Sequence, residues 1–416
     1  MPQGFRPGPR RSRPRRGVPG VVPALPPGCC HRPRDTIACV STVEKALAAA
    51  LYAEGDDALD TAASLLAADP AADAELDRRG ELLLRGAWER GWQPEDVARL
   101  VRRELDDAHG RLFAGLAVAE SAAYGERLPP RWRAQLAGLA GGEPYRADRF
   151  TRATAVLELY RLLARLPRIE PVAPPPGGST LAAPPPAHEP RMLTRVRALL
   201  AKAEATGFPQ EAEALTAKAQ ELMARHSIDE AVLAHGAPSD HSPSACRIGV
   251  DAPYETAKAV LLDAVATANR CRAVWNGAYG FSTVVGFEGD LEAVELLYTS
   301  LLVQGTTAMT VAESAQRAGG RKRTKTFRQS FWTAYAARLG DHLAAVAEEV
   351  VTGDLLPVLA TRELAVTDRT DKMFPRTTTT RVRGATDPEG WRDGTSAADR
   401  ARPAGPHRPR LRGRDG

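Results

Sequence analysis

The sequence predicts an α-rich fold, with an all-α N-terminal domain followed by an α+β C-terminal domain that holds a small sheet containing a β-hairpin. Three observations predict it. Apolar residues recur at three- and four-residue steps through most of the chain, the spacing of helices with one buried face. Between 171 and 190 eight prolines with Gly177, Gly178, Ser179 and Thr180 break that pattern, a composition that favours an extended linker over packed structure. Farther on, Cys271-Arg272-Ala273-Val274-Trp275 and Phe281-Ser282-Thr283-Val284-Val285-Gly286-Phe287 are bounded by Asn276-Gly277 and Tyr279-Gly280, as the strands of a hairpin are. At 416 residues and 43% hydrophobic content, the chain can fill more than one core.

Taken in order, residues 1–40 are expected to be a basic disordered tail, with eight Arg against the single acid Asp35. Val40, ahead of Ser41-Thr42-Val43-Glu44-Lys45, is a second candidate start, in which case the first 39 residues are not made. The all-α domain spans 41–168, with Leu76, Leu82, Leu83, Trp88, Val97, Leu100, Val101, Leu105, Leu112 and Leu116 at helical spacing. Within it, Gly91-Trp92-Gln93-Pro94-Glu95-Asp96 is a turn between helices, and Pro94 suits a first helical position. A DNA-reading helix-turn-helix can begin this way. The helix from Glu95 to Ala108 carries five acids beside Arg99, Arg102 and Arg103, so a plain helical hairpin closed by a Trp88–Trp92 contact is expected instead.

After the proline-rich linker at 169–190, residues 191–235 form a helical hairpin. Leu193, Val196, Leu199, Leu200 and Ala203 make one stripe, and Ala212, Leu215, Ala219, Leu222 and Met223 make the next. Gly207 can adopt the left-handed conformation that ends a helix, and Pro209 suits the start of the following one. Ser227 with Glu230 has the pattern of a capping box for a third helix, and His226 then sits at a helix C-terminus. Val196-Arg197-Ala198-Leu199-Leu200-Ala201-Lys202-Ala203-Glu204, Glu211-Ala212-Glu213-Ala214 and Ala217-Lys218-Ala219-Gln220-Glu221-Leu222-Met223-Ala224-Arg225-His226 resemble the domain of unknown function 2786 family of bacterial and phage proteins. A looser resemblance runs from Tyr254 to Val351, and Gly390-Trp391-Arg392-Asp393-Gly394 with Ala397-Ala398-Asp399 resembles the short helix that closes such proteins. The resemblance implies no catalytic residues.

A loop is expected from Gly236 to Arg247, then the α+β domain over 250–399. Its helices run from Pro253 to Asn269, from a cap at Gly289-Asp290, and from Phe327 to Val351. Glu363–Thr367 and Thr377–Arg383 are candidate strands, and 400–416 is expected to be a second disordered tail.

The net charge of +5 resides in the tails: residues 376–416 hold ten Arg against five acids, and with the N-terminal tail they leave 41–375 net acidic. Basic tails can hold nucleic acid without sequence preference, although Arg/Pro/Gly tails also follow from GC-rich coding. No apolar run reaches the ~18 residues of a membrane span, so no membrane partner is expected. Five scattered cysteines make no disulfide framework or ligand spacing, and the cytoplasm is the expected location.

The sequence holds no Walker loop, dinucleotide glycine pattern, His-Glu-x-x-His motif or nucleophile elbow, and no cofactor is expected. His226, His235 and His241, with Asp229, Asp240 and Cys246, contain metal-ligand types, but their spacing matches no motif and no metal is expected. Asp341-His342 and Glu348-Glu349 read as a solvated helix face. The segment from Arg317 to Arg328 is different in kind, because it places six basic residues and no acids within an acidic domain. Arg321, Lys322, Arg323, Lys325 and Arg328 are the candidate nucleic-acid contacts, with Arg191, Arg195 and Lys202 as an extension if their face adjoins. Phe327, Phe331 and Trp332 follow at once, and an exposed ring there could stack on an unpaired base. The leading expectation is a non-enzymatic nucleic-acid-associated protein; the alternatives are a metal-dependent hydrolase with an unrecognised site near His226 to His241, or a helical interaction scaffold.

Overall fold

Helical periodicity in the first part of the chain becomes, among the described residues, seven α-helices: α1 (Thr42–Tyr52), α2 (Asp56–Ala68), α3 (Asp73–Glu89), α4 (Pro94–Glu104), α5 (Asp107–Ser121), α6 (Pro130–Leu139) and α7 (Arg149–Arg165). The computed structural model describes residues 40–52, 55–143, 145–177, 191–235, 242–320, 324–350, 356–379 and 385–401. Helix starts carry the chemistry that their sequences encode. Pro94 opens α4, where its missing N–H is tolerated, and the Asp96 carboxylate accepts from the Gln93 N–H at 3.0 Å. Asp106 and Asp148 likewise accept first-turn N–H groups of α5 and α7.

The apolar faces of these helices close on a core that includes Leu84, Trp88, Val97, Phe113, Leu157 and Leu163. Trp88 and Trp92 do not pack on each other as the sequence led us to expect. Trp88 meets Trp132 edge-on at 5.1 Å, whereas Trp92 meets Tyr279 at 5.0 Å. A buried indole is placed by its N–H as well as by its ring. Trp88 donates to Glu120 at 2.8 Å and Trp92 to the Pro167 carbonyl at 2.7 Å, which draws them to different neighbours. Helix α4 ends at Glu104, short of Ala108, and buries Asp96 through Val101, so it offers no exposed reading face.

The second part comprises α8 (Arg191–Ala205), α9 (Pro209–His235), β1 (Ser244–Gly249), α10 (Glu255–Ala268), β2 (Arg272–Asn276), β3 (Phe281–Gly286), α11 (Glu288–Ala318), α12 (Lys325–Val350), α13 (Leu356–Met373) and α14 (Pro388–Arg400). The α-rich class with a small sheet is therefore observed. The sheet is antiparallel in the order β1-β3-β2, with Cys246 and Ala273 both opposite Val284. All of β3 is buried, as a central strand with helices against it should be.

Several local expectations are corrected. The turn after α8 does not use a left-handed Gly207; the Thr206 hydroxyl closes it by accepting the Phe208 N–H at 3.2 Å. Helix α9 runs unbroken through Ser227, because that side chain is buried and turned sideways to accept from Arg270 at 3.2 Å instead of capping a new helix. His226 is consequently inside a helix. The end of the supposed loop, from Ser244 to Arg247, belongs to β1: Ser-Ala-Cys-Arg-Ile-Gly lacks a clean alternation, and its pairing with β3 supplies what propensity does not. Glu363–Thr367 is helical within α13, whose Val366 packs beneath Val285 and Met373. Residues 377–379 form no strand, and 380–383 lie outside the described residues, as do 1–39 and 402–416 of the tails.

A second core gathers Val196, Leu200, Ala219, Met223, Val265, Val284, Leu297, Trp332, Tyr335 and Leu339. Helix α14 lies on α12 so closely that a Cβ on Gly390 or Gly394 would come within 2.3 Å of the carbonyl oxygens of Phe327 or Phe331. The Gly390–Gly394 spacing therefore encodes backbone proximity, as small residues one turn apart do. The two cores meet at β1 and β3. Phe281 belongs to the first core, and Arg247 donates to the Gly91 carbonyl at 2.8 Å, the Asp96 carboxylate at 2.6 Å and the Glu170 carbonyl at 2.7 Å. Beside it Arg99 reaches Asp251 at 2.8 Å. Among the described residues no helix is long and apolar enough to cross a membrane.

Candidate functional site

Helix α11 continues to Ala318 and gives way to Gly319 and Gly320, the latter at φ 94, a value at which glycine is unstrained. Helix α12 begins at Lys325. The expected nucleic-acid contacts Lys325 and Arg328 thus lie on the first turn of α12, whereas Arg321, Lys322 and Arg323 lie outside the described residues. One turn back from the end of α11, Glu313 organises the site. It accepts from Arg317 Nε at 2.9 Å, from the Thr324 hydroxyl at 2.7 Å and from Arg328 Nε at 2.8 Å, with a further Arg328 Nη2 contact. These donors, Arg328 first, hold the Glu313 carboxyl down to about 2. Two guanidiniums therefore share one carboxylate and are fixed in place by it.

Arg317, Lys325 and Arg328, with Thr324 and Gln329, form one side of a pocket of about 740 Å³. Pro253, Tyr254, Glu255 and Thr256 form the other. That wall is the start of α10, where Tyr254 takes the N-cap position at φ 69 and no side chain caps the helix. The Arg328 guanidinium is held above its ordinary value chiefly by Glu313, with the Tyr254 phenol adding a smaller contribution. Sequence reasoning did not single out Tyr254, Thr256 or Glu313, since none sits in a recognisable motif and each reaches the site through the fold.

The rings expected to stack on bases are not available. Phe327 and Phe331 are fully buried and Trp332 is 1% exposed. They fall on the α12 face that packs against the second core and α14, where large aromatic area is worth most. Arg191, Arg195 and Lys202 do not line the pocket, and Lys202 is paired with Glu211 at 2.8 Å.

Nor do the described residues of metal-ligand type converge. Among the described residues no group of three or more His, Cys, Asp or Glu side chains is placed to hold a metal ion. His226 Nδ1 lies 3.7 Å from Glu230, burial pushes the Cys246 thiol up to about 11, and Asp240 and His241 lie outside the described residues. His342 is buried and faces Asp399 at 3.2 Å across the α12–α14 contact, whereas Asp341 beside it is exposed as expected and the side chains of Glu348 and Glu349 lie outside the described residues.

One buried polar cluster had no forewarning in the sequence. Arg362 of α13 lies 3.2 Å from Asp290 at the start of α11 and 3.9 Å from Glu230 of α9, with its guanidinium 3.8 Å from the Phe287 ring centroid. Burial raises the Asp290 carboxyl although Arg362, Ser227 and Arg270 pull it back.

Residues 191–230 match the family model described as protein of unknown function (DUF2786). The matched segment is α8 and most of α9. Its stripe residues Val196, Leu200, Ala219 and Met223 are in the second core, and its far end supplies Ser227 and Glu230 to the cluster around Asp290. None of it lines the pocket at the α11–α12 turn. Comparison with curated proteins and with solved structures gives no match.

Proposed function

We propose that this chain is a non-enzymatic nucleic-acid-associated protein of the cytoplasm that grips phosphates at the α11–α12 turn. The observation that carries the reading is the convergence of Arg317, Lys325 and Arg328 on one open pocket in an otherwise acidic part of the chain. Arg321, Lys322 and Arg323 stand between Gly320 and Thr324 in the sequence and add three charges to the same turn. Long flexible cations of this kind follow a phosphate backbone without reading its bases. With the α12 rings buried, contact through phosphates rather than bases is the mode the side chains favour.

Arg328 has two tasks in this reading, since the edge not spent on Glu313 faces the ligand while the other is held by that carboxylate. Changing Arg321, Lys322, Arg323 and Lys325 together to Ala is expected to weaken binding of DNA or RNA. It should also flatten the plot of log affinity against log salt by about 0.7–0.9 per lost phosphate contact. Unchanged affinity and slope in a variant with a native circular dichroism spectrum would reject the site.

A further inference from the structure

Building on that reading, we propose that the pocket takes the terminal phosphate of a nucleic-acid strand rather than a phosphodiester from its interior. The cations that line it, Arg317, Lys325 and Arg328, come from the end of α11 and the start of α12, and they face a wall made by the first turn of α10. A ligand inside is therefore met from three elements. An interior phosphodiester carries one charge and has chain leaving on both sides, which suits an open ridge of cations. A terminal phosphomonoester carries between one and two charges near neutral pH and three acceptor oxygens, and chain leaves it on one side only. A pocket of about 740 Å³ that is open to solvent but bounded by cations on one side and by the start of α10 on the other suits the second group better.

Two further features act in the same direction. Glu313 fixes both guanidiniums before any ligand arrives, and donors held in advance lose less freedom on binding. The first-turn N–H groups of α10 have no intrahelical acceptor and no side-chain cap, so they add donors and a positive helix end to the side-chain charge. Glu255 is the acid on this lining. It opposes an entering anion, so the cationic side must dominate, and replacing Glu255 with Gln is expected to tighten binding.

The test is fluorescence anisotropy on the full chain with one single-stranded oligonucleotide, roughly a dozen nucleotides long. It is prepared 5′-phosphorylated, 3′-phosphorylated and with hydroxyls at both ends. We expect one phosphorylated form to bind about tenfold more tightly than the unphosphorylated one. That advantage should disappear in Arg317→Gln and in Lys325→Gln, checked for native folding by circular dichroism. Equal affinity for all three probes would overturn end recognition while leaving phosphate-backbone binding intact. No retention of any probe at low salt would overturn both. Competition with adenosine 5′-monophosphate separates the sources of the phosphate. Displacement at the affinity of the phosphorylated oligonucleotide would overturn the strand-end assignment in favour of a small phosphorylated molecule, and weak displacement supports it.

Discussion

Asp96 with Arg247, and Glu313 with Arg317 and Arg328, use the same functional groups in opposite surroundings. The first pair is sealed between the two cores, its side chains 4% and 3% exposed. Burial pushes the Asp96 carboxyl above its ordinary range even though Arg247 draws it back. The second cluster is open on the cationic side, with Arg317 59% and Arg328 33% exposed, and the Glu313 carboxyl is drawn down instead. The comparison separates two uses of one interaction. Where desolvation dominates, the pair fixes how two cores meet; where solvent remains, the carboxylate serves to hold cations in readiness.

The comparison breaks most visibly at Arg247. Arg247→Leu leaves Asp96 buried without its counter-charge and removes the donor to two carbonyls, Gly91 and Glu170. A loss of about 3–5 kcal/mol is expected in urea denaturation. The double variant Asp96→Leu/Arg247→Leu should recover much of that, since a buried pair replaced as a unit is near neutral, less about 1 kcal/mol for the lost Gln93 cap. A single-variant loss near zero would mean that the pair is not the joint between the cores.

Next in size is a purely steric test of how the exposed cluster is positioned. Gly394→Ala drives a methyl against the Phe331 carbonyl oxygen, a backbone atom that cannot yield without moving α12. An overpacking cost of about 1–3 kcal/mol is expected. Because α14 lies along the first turns of α12, where Lys325 and Arg328 sit, anion affinity should fall along with stability. If affinity stays at the wild-type value in a destabilised Gly394→Ala protein, α14 does not position the site.

The two regions also differ in how far the sequence disclosed them. Helical stripes, the hairpin strands and the Pro94 helix start were legible because each is set by residues close together in sequence. Strand β1 was not, since its partner β3 lies beyond α10 and nothing within Ser244–Gly249 announces it. Arg247 was hidden for the same reason: its three acceptors are far from it in the chain. At the exposed cluster the cations were visible as a charge run, but Glu313 lay on the preceding helix and Tyr254 on another element. The burial of Phe327 and Trp332 depended on α14 and the second core, which no local pattern reports.

The smallest stability effect, and the sharpest functional one, is expected at Glu313. Glu313→Gln removes a carboxylate shared by two partly exposed guanidiniums, so its cost should be on the order of 1 kcal/mol. The same change releases Arg317 and Arg328 from the positions in which Glu313 holds them, so binding of a phosphorylated strand should weaken. The effect on stability has a definite pH sign. A carboxyl held at about 2 in the folded chain, against 4.5 ordinarily, contributes stability that is complete above the ordinary value and is lost as pH falls toward the folded one. The stability gap between wild type and Glu313→Gln should therefore be constant from neutral pH to about 4.5, then close between there and about 2. Thermal denaturation of both proteins across that range measures it. A gap that persisted at the acid end would show that Glu313 acts through packing, and the Gln variant should then leave affinity for a polyanion unchanged.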